Sequence, residues 1–243
     1  MHIRELRNSF AQREFISVSD LIDFYRQFDE NIKRSTVDWR AYELNRQGIL
    51  HRIGRGIYSL GETGKSYFVP EIGKPVQRLY HKVLKQFPFG ELCIWSTKSL
   101  NEFMLHQPGR FYTILDVEKD AAESVFYHLK ESGKDVYLHP SEEILSKYAI
   151  HKKEPVIITY LTTEAPIQKV DSMKTITLEK VLVDIYCDPV LFSTYQGIEM
   201  KHIYRTAFDK YHIRESKMLR YASRRNKKGE IEKLINEIIK KRQ

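Results

Sequence analysis

The sequence is poor in the residues that build disulfide frameworks and metal centres. Its 243 residues include two cysteines, Cys93 and Cys187, each set among apolar neighbours. Two thiols are too few for a disulfide framework or a zinc site, and the apolar flanks predict buried side chains. None of the nine histidines falls in an HExxH pattern or beside a cysteine at a ligand spacing, so neither a metal nor another cofactor is expected. No apolar run approaches the roughly 18 residues of a membrane-spanning helix, and no membrane partner is expected. The segment Met1-His2-Ile3-Arg4-Glu5-Leu6-Arg7 carries charge where a signal peptide needs its apolar stretch, which makes a cytoplasmic location the default. Nucleophile motifs are also lacking, since no serine elbow or Cys-His pattern is visible. What is present, 42% hydrophobic and 30% charged residues, suffices for a folded chain of one large domain or two smaller ones.

The formal charge is +8, and its distribution is uneven. Residues 1–60 carry 10 basic and 8 acidic side chains, residues 61–200 carry 16 and 19, and residues 201–243 carry 14 and 5. A cationic excess attracts phosphate-rich partners, and here it is concentrated in the C-terminal tail. Within that tail Arg220, Arg224, Arg225, Lys227 and Lys228 form a candidate second basic contact, to DNA phosphates or to an acidic protein surface. An ordinary solvated helical face explains the same residues.

The first sixty residues read as three helices and a hairpin. Ile3, Leu6 and Phe10 give a short first helix; Ser17 and Asp20 mark the start of a second, along which Val18, Leu21, Ile22 and Tyr25 repeat at helical spacing. Ser35 and Asp38 give a similar start signal for a third helix from about Thr36 to Gln47, with Val37, Ala41 and Leu44 inward and Gly48 at its end. Two β-prone segments then meet at Gly54-Arg55-Gly56, a tip suited to a tight hairpin. This order is the winged helix-turn-helix plan, in which the third helix enters the major groove and the wing touches the backbone. The candidate DNA-binding residues are Ser35, Thr36, Trp39, Arg40, Tyr42, Glu43 and Arg46 on the helix, with Arg52 and Arg55 at the wing. Packing against a neighbouring domain is the structural alternative for Trp39 and Tyr42, and a solvated charge is the alternative for Arg46.

Residues 61–74 read as a linker. Gly64-Lys65-Ser66 within it imitates a phosphate-binding loop, but Ser59 stands where that loop needs its first glycine and no helix start follows. From residue 75 strands alternate with helices, predicting an α/β domain over 75–243 that ends in a helical tail over about 177–243. The expected class is therefore α+β: an N-terminal winged helix-turn-helix, then a mixed-sheet α/β domain with a helical C-terminal tail. Asp116 and Glu118, two apart at a strand end, are the best candidates for metal-dependent nuclease or nucleotidyltransferase chemistry. The Gly-Ser turn such a transferase needs is missing, and Glu199-Met200-Lys201 lies in a helical pattern rather than on a strand. No catalytic residue is therefore assigned.

Two segments resemble a known family. The first runs from Ser35-Thr36-Val37-Asp38-Trp39-Arg40-Ala41-Tyr42-Glu43-Leu44 through Gly48-Ile49-Leu50 to Arg52-Ile53-Gly54-Arg55-Gly56-Ile57-Tyr58. It resembles the winged-helix head of AbiEi-type antitoxins. The second, Thr177-Leu178-Glu179-Lys180-Val181-Leu182-Val183-Asp184 with Leu219-Arg220-Tyr221-Ala222-Ser223-Arg224-Arg225, is similar to their C-terminal part, whereas residues 95–140 fit loosely. The resemblance implies a non-enzymatic bacterial regulator that binds double-stranded operator DNA and represses a toxin–antitoxin operon concerned with abortive infection and phage defence. It also implies a nucleotidyltransferase-like toxin as the partner to be countered. Monomer and dimer are both compatible with the pattern.

Overall fold

A computed structural model describes residues 1–11, 13, 15–54, 56–61 and 67–239. It divides into two compact units, Met1–Tyr67 with Asp209–His212, and Phe68–Phe208 with Ile213–Gln243. The boundary falls at Tyr67, inside the expected linker, and four residues of the tail join the first unit.

The first unit runs α1 (Ile3–Phe10), β1 (Ile16–Ser17), α2 (Val18–Arg26), α3 (Arg34–Arg46), β2 (Leu50–Gly54) and β3 (Ile57–Leu60). The capping box of α2 forms as the sequence predicts: Asp20 N–H donates to Ser17 Oγ at 3.1 Å, and Ser17 N–H donates to Asp20 Oδ2 at 2.8 Å. The third helix departs from expectation at its start. It begins at Arg34 after an uncapped Lys33, so Ser35 lies in the first turn and does not cap. Its end matches, because Gly48 takes φ +70° there. The short strand β1, which the hydrophobic pattern does not announce, pairs Ile16 with Tyr58, making β3 the centre of a three-stranded antiparallel sheet. Leu6, Leu21, Tyr25, Val37, Leu44 and Leu50 are buried together as its core. Gly61 closes the hairpin, its N–H donating to Ile49 O at 2.8 Å. A Cβ there would lie 2.2 Å from Gly48 O, so no larger residue fits without moving backbone.

The second unit holds a four-stranded mixed sheet built from β4 (Leu92–Ser96), β5 (Thr113–Val117), β6 (Val136–Leu138) and β7 (Val156–Tyr160). The strands lie in the order β4-β5-β7-β6, with β4 antiparallel to β5 and the other neighbours parallel. Strand residues alternate between faces. Leu92, Ile94, Leu115, Val117 and Ile158 pack on α4 (Lys74–Gln86) and α5 (Ala122–Glu131). Cys93, Trp95, Ile114, Asp116 and Thr159 occupy the opposite face. The connection into β7 includes α6 (Glu142–Lys147), and a hairpin follows: β8 (Ile167–Val170) and β9 (Met173–Ile176). That hairpin turns on Asp171 and Ser172, both at positive φ, and Thr175 Oγ1 anchors it to Ile94 O at 2.7 Å. The helices α7 (Leu178–Cys187), α8 (Ile198–Lys210), α9 (Glu215–Arg224) and α10 (Lys228–Ile239) follow. The fold is mixed α+β with a helical C-terminal tail, as expected.

Candidate functional site

Two places in the described residues are candidates for function, one in each unit. In the first, α3 buries Val37, Ala41 and Leu44, half-buries Thr36, Arg40 and Glu43, and exposes the rest. Trp39 and Tyr42 are 60% and 65% exposed, large aromatic areas for a helix whose inner face is already packed. Ser35 and Arg46 are exposed with them, and Thr36 is half-buried. Arg46 reaches Glu43 at 2.6 Å, and Glu43 also accepts from Gln47, which holds its carboxyl below the usual range. Arg40 turns back over the Tyr25 ring at 4.6 Å, so its guanidinium supports the unit's own core rather than extending outward. Arg52 is exposed on β2, and its N–H is fixed by Asn45 Oδ1 at 2.9 Å. Arg55 and Gly64-Lys65-Ser66 lie outside the described residues.

The second place is assembled from residues far apart in the sequence. Every residue of α7 from Leu178 to Ile185 is buried, including Glu179, Lys180 and Asp184. Charges on a helix buried all round need partners: Glu179 accepts from the Arg214 backbone N–H at 3.0 Å, and Lys180 and Asp184 are ion-paired. Lys180 Nζ donates to Asp116 Oδ2 at 2.8 Å and to Asp184 Oδ2 at 2.6 Å. Asp116 Oδ1 accepts from Thr159 at 2.5 Å; Asp184 Oδ1 accepts from Tyr221 at 2.7 Å and from Arg225 at 2.9 Å. Arg225 continues to Asp188 Oδ2 at 2.8 Å. Burial opposes the charge on Lys180, but Asp116 and Asp184 outweigh it and hold its pKa above the ordinary value. Burial raises the Asp184 carboxyl against the pull of Lys180.

This network forms part of the wall of a cavity of about 490 Å³, which Trp95, His139, Tyr160, Cys187 and Phe192 also line. Cys93 is buried, whereas Cys187 is only half-buried, which corrects the expectation of two buried thiols. Asp116 and Glu118 have different partners: Asp116 belongs to the network, while the exposed Glu118 follows the strand end and accepts from Glu91 N–H. Among the described residues no group of three or more His, Cys, Asp and Glu side chains could hold a metal ion.

Four of the five cations of the candidate tail cluster are paired within their own unit. Arg220 and Arg224 lie 3.9 and 3.1 Å from Glu164, and Lys227 lies 2.9 Å from Glu230. Arg225 is turned inward to the cavity network, leaving Lys228 exposed. Among the described residues no helix is long and apolar enough to cross a membrane.

Residues 36–241 match the model of a family described as a family of unknown function, DUF6577, and the chain belongs to that family. The match begins within α3 and leaves α1 and α2 outside it. No curated protein matches the chain.

Proposed function

We propose that the first unit is a winged helix-turn-helix that binds double-stranded DNA, with α3 as the recognition helix and the β2–β3 hairpin as the wing. The observation that carries this reading is the outward face of α3. Trp39, Tyr42 and Arg46 are exposed on one helix whose opposite face is fully packed. An α-helix fits the major groove, where arginine pairs with guanine edges and aromatic rings contact thymine methyl groups and sugars. The Glu43–Arg46 pair keeps the guanidinium extended along the helix and exchangeable for a base or phosphate, because an exposed ion pair contributes little by itself. Arg52 supports the wing in a backbone-contacting role.

The similarity of residues 35–58 and 177–225 to AbiEi-type antitoxins extends the reading. In it the chain represses its own operon and counters a nucleotidyltransferase-like toxin encoded beside it. The engagement of both Asp116 oxygens by Thr159 and Lys180 favours this regulator over a metal-dependent nuclease or transferase using Asp116. The test is a footprint of the purified chain on the DNA upstream of its own gene, paired with co-expression of the neighbouring gene. The reading expects a protected palindromic or repeated segment and relief of toxin-induced growth arrest. An unprotected upstream region overturns the DNA assignment, and continued arrest overturns the antitoxin role.

A further inference from the structure

The cavity of the second unit has no part in DNA binding by α3. Its volume, about 490 Å³, lies within the span of roughly 300–1,000 Å³ usual for small-molecule sites. Its walls offer two chemistries. One is flat and apolar: the Trp95 ring is stacked on Phe192 at 6.0 Å and 19°, and the His139 ring lies 3.8 Å from that of Tyr160. Burial holds the His139 pKa below its ordinary value, so this imidazole presents an uncharged ring at neutral pH.

The other is the pair of Asp188 and Arg225. Both oxygens of Asp116 and both of Asp184 already accept hydrogen bonds from within the network. Asp188 is different. Its Oδ2 accepts from Arg225, its Oδ1 has no side-chain donor among the described residues, and the side chain is 41% exposed. Arg225 in turn uses Nη1 and Nη2, leaving its Nε–H without an acceptor among them. A free carboxylate oxygen beside a guanidinium calls for a ligand edge with a donor next to an acceptor. The charges also set a limit. Asp116, Asp184 and Asp188 stand against Lys180 and Arg225, an excess of one negative charge that disfavours an anionic ligand.

We propose that this cavity binds a small, uncharged planar heterocycle of nucleobase or nucleoside type, its hydrogen-bonding edge on Asp188 and Arg225 and its ring against the aromatic wall. The site stands apart from the DNA-binding reading and does not depend on it. It can be tested by isothermal calorimetry on the full chain with guanosine, inosine, uridine and guanosine monophosphate. Saturable binding of at least one nucleoside is expected at concentrations up to about 1 mM, with the monophosphate weaker than guanosine. Asp188→Ala, on the rim, should weaken that binding about tenfold through loss of a charge-assisted hydrogen bond. Val190→Phe, at a lining residue outside the charged network, should block it while the thermal melt stays cooperative. The proposal is overturned by a folded protein that binds none of the three nucleosides, by a monophosphate that binds more tightly than guanosine, by an affinity that Asp188→Ala leaves unchanged, or by nucleoside binding that survives Val190→Phe.

Discussion

Lys180, on a helix, donates to Asp116, on a central strand, at 2.8 Å, and both side chains are almost wholly removed from water. The pair crosses from α7 to β5 and so ties the C-terminal helices to the sheet. Desolvating two charges is costly, and the cost is offset only because Asp184 and Thr159 complete the hydrogen bonding. Removing the cation would leave two buried carboxylates facing each other.

Lys180→Met is therefore expected to destabilise the protein by about 3–5 kcal/mol, the usual consequence of breaking a buried pair from one side. Asp116→Asn in the same chain should recover part of the loss, because the two residues share one interaction. Urea unfolding of the single and double variants measures this. Strictly additive losses would show that the pair does not act as a unit.

The thiols should differ in reactivity. Burial pushes the Cys187 thiol up to about 11, and burial within the sheet raises the Cys93 thiol well above its ordinary value. The thiolate is the reactive form. Iodoacetamide at pH 8 should therefore leave both unmodified in the folded chain; Cys187 should react as the pH approaches its raised value, and Cys93 only on unfolding. Rapid labelling of Cys187 at pH 8, read by mass spectrometry, would contradict this environment.

The α2 cap predicts an acid-sensitive contribution. The Ser17 hydroxyl and backbone N–H, together with Arg13, hold the Asp20 carboxyl below its ordinary 3.8. A carboxyl lowered by folding stabilises above its unfolded pKa, and the contribution is lost as pH falls through the folded value. Ser17→Ala should cost about 1 kcal/mol near neutral pH, as for other N-caps, and the gap from the parent should narrow below pH 3.8. Melts at neutral and acid pH provide the comparison, and a gap that widens in acid would reverse the sign.

The tail cations give a separate expectation for DNA binding. Glu164 sits against Arg220 and Arg224, and Arg225 is held by Asp184 and Asp188. Replacing Arg220 and Arg224 by alanine should leave the salt dependence of DNA affinity unchanged. If the tail gripped phosphates, the slope would fall by about 0.9 for each phosphate no longer neutralised.

The helices, the Gly48 stop and the Ser17 cap could be read from sequence because each depends on local periodicity or on a side chain within three residues. The hairpin of β8 and β9 could not: its turn uses Asp171 and Ser172 at positive φ, without the Asn-Gly or Asp-Gly pair that announces such a turn. Likewise β1 has two residues and is fixed only by its pairing with β3. The exposed face of α3 follows from counting around a helix, but the inward turn of Arg40 depends on Tyr25, fifteen positions earlier. The charged cavity joins residues from Asp116 to Arg225. Its one local sign is Lys180 four positions before Asp184 in an otherwise apolar helix, a spacing that places both on one face.

The outward face of α3 is the centre of the functional account, and matched-salt titration tests it most directly. Fluorescence anisotropy would compare the full chain with its Trp39→Ala, Tyr42→Ala, Arg46→Ala triple variant on duplex DNA from upstream of its own gene. The account predicts saturable binding by the parent chain that exceeds its binding to unrelated duplex, with that preference lost in a triple variant that retains the parent's melting behaviour. An equal preference for the upstream DNA in parent and variant would contradict it.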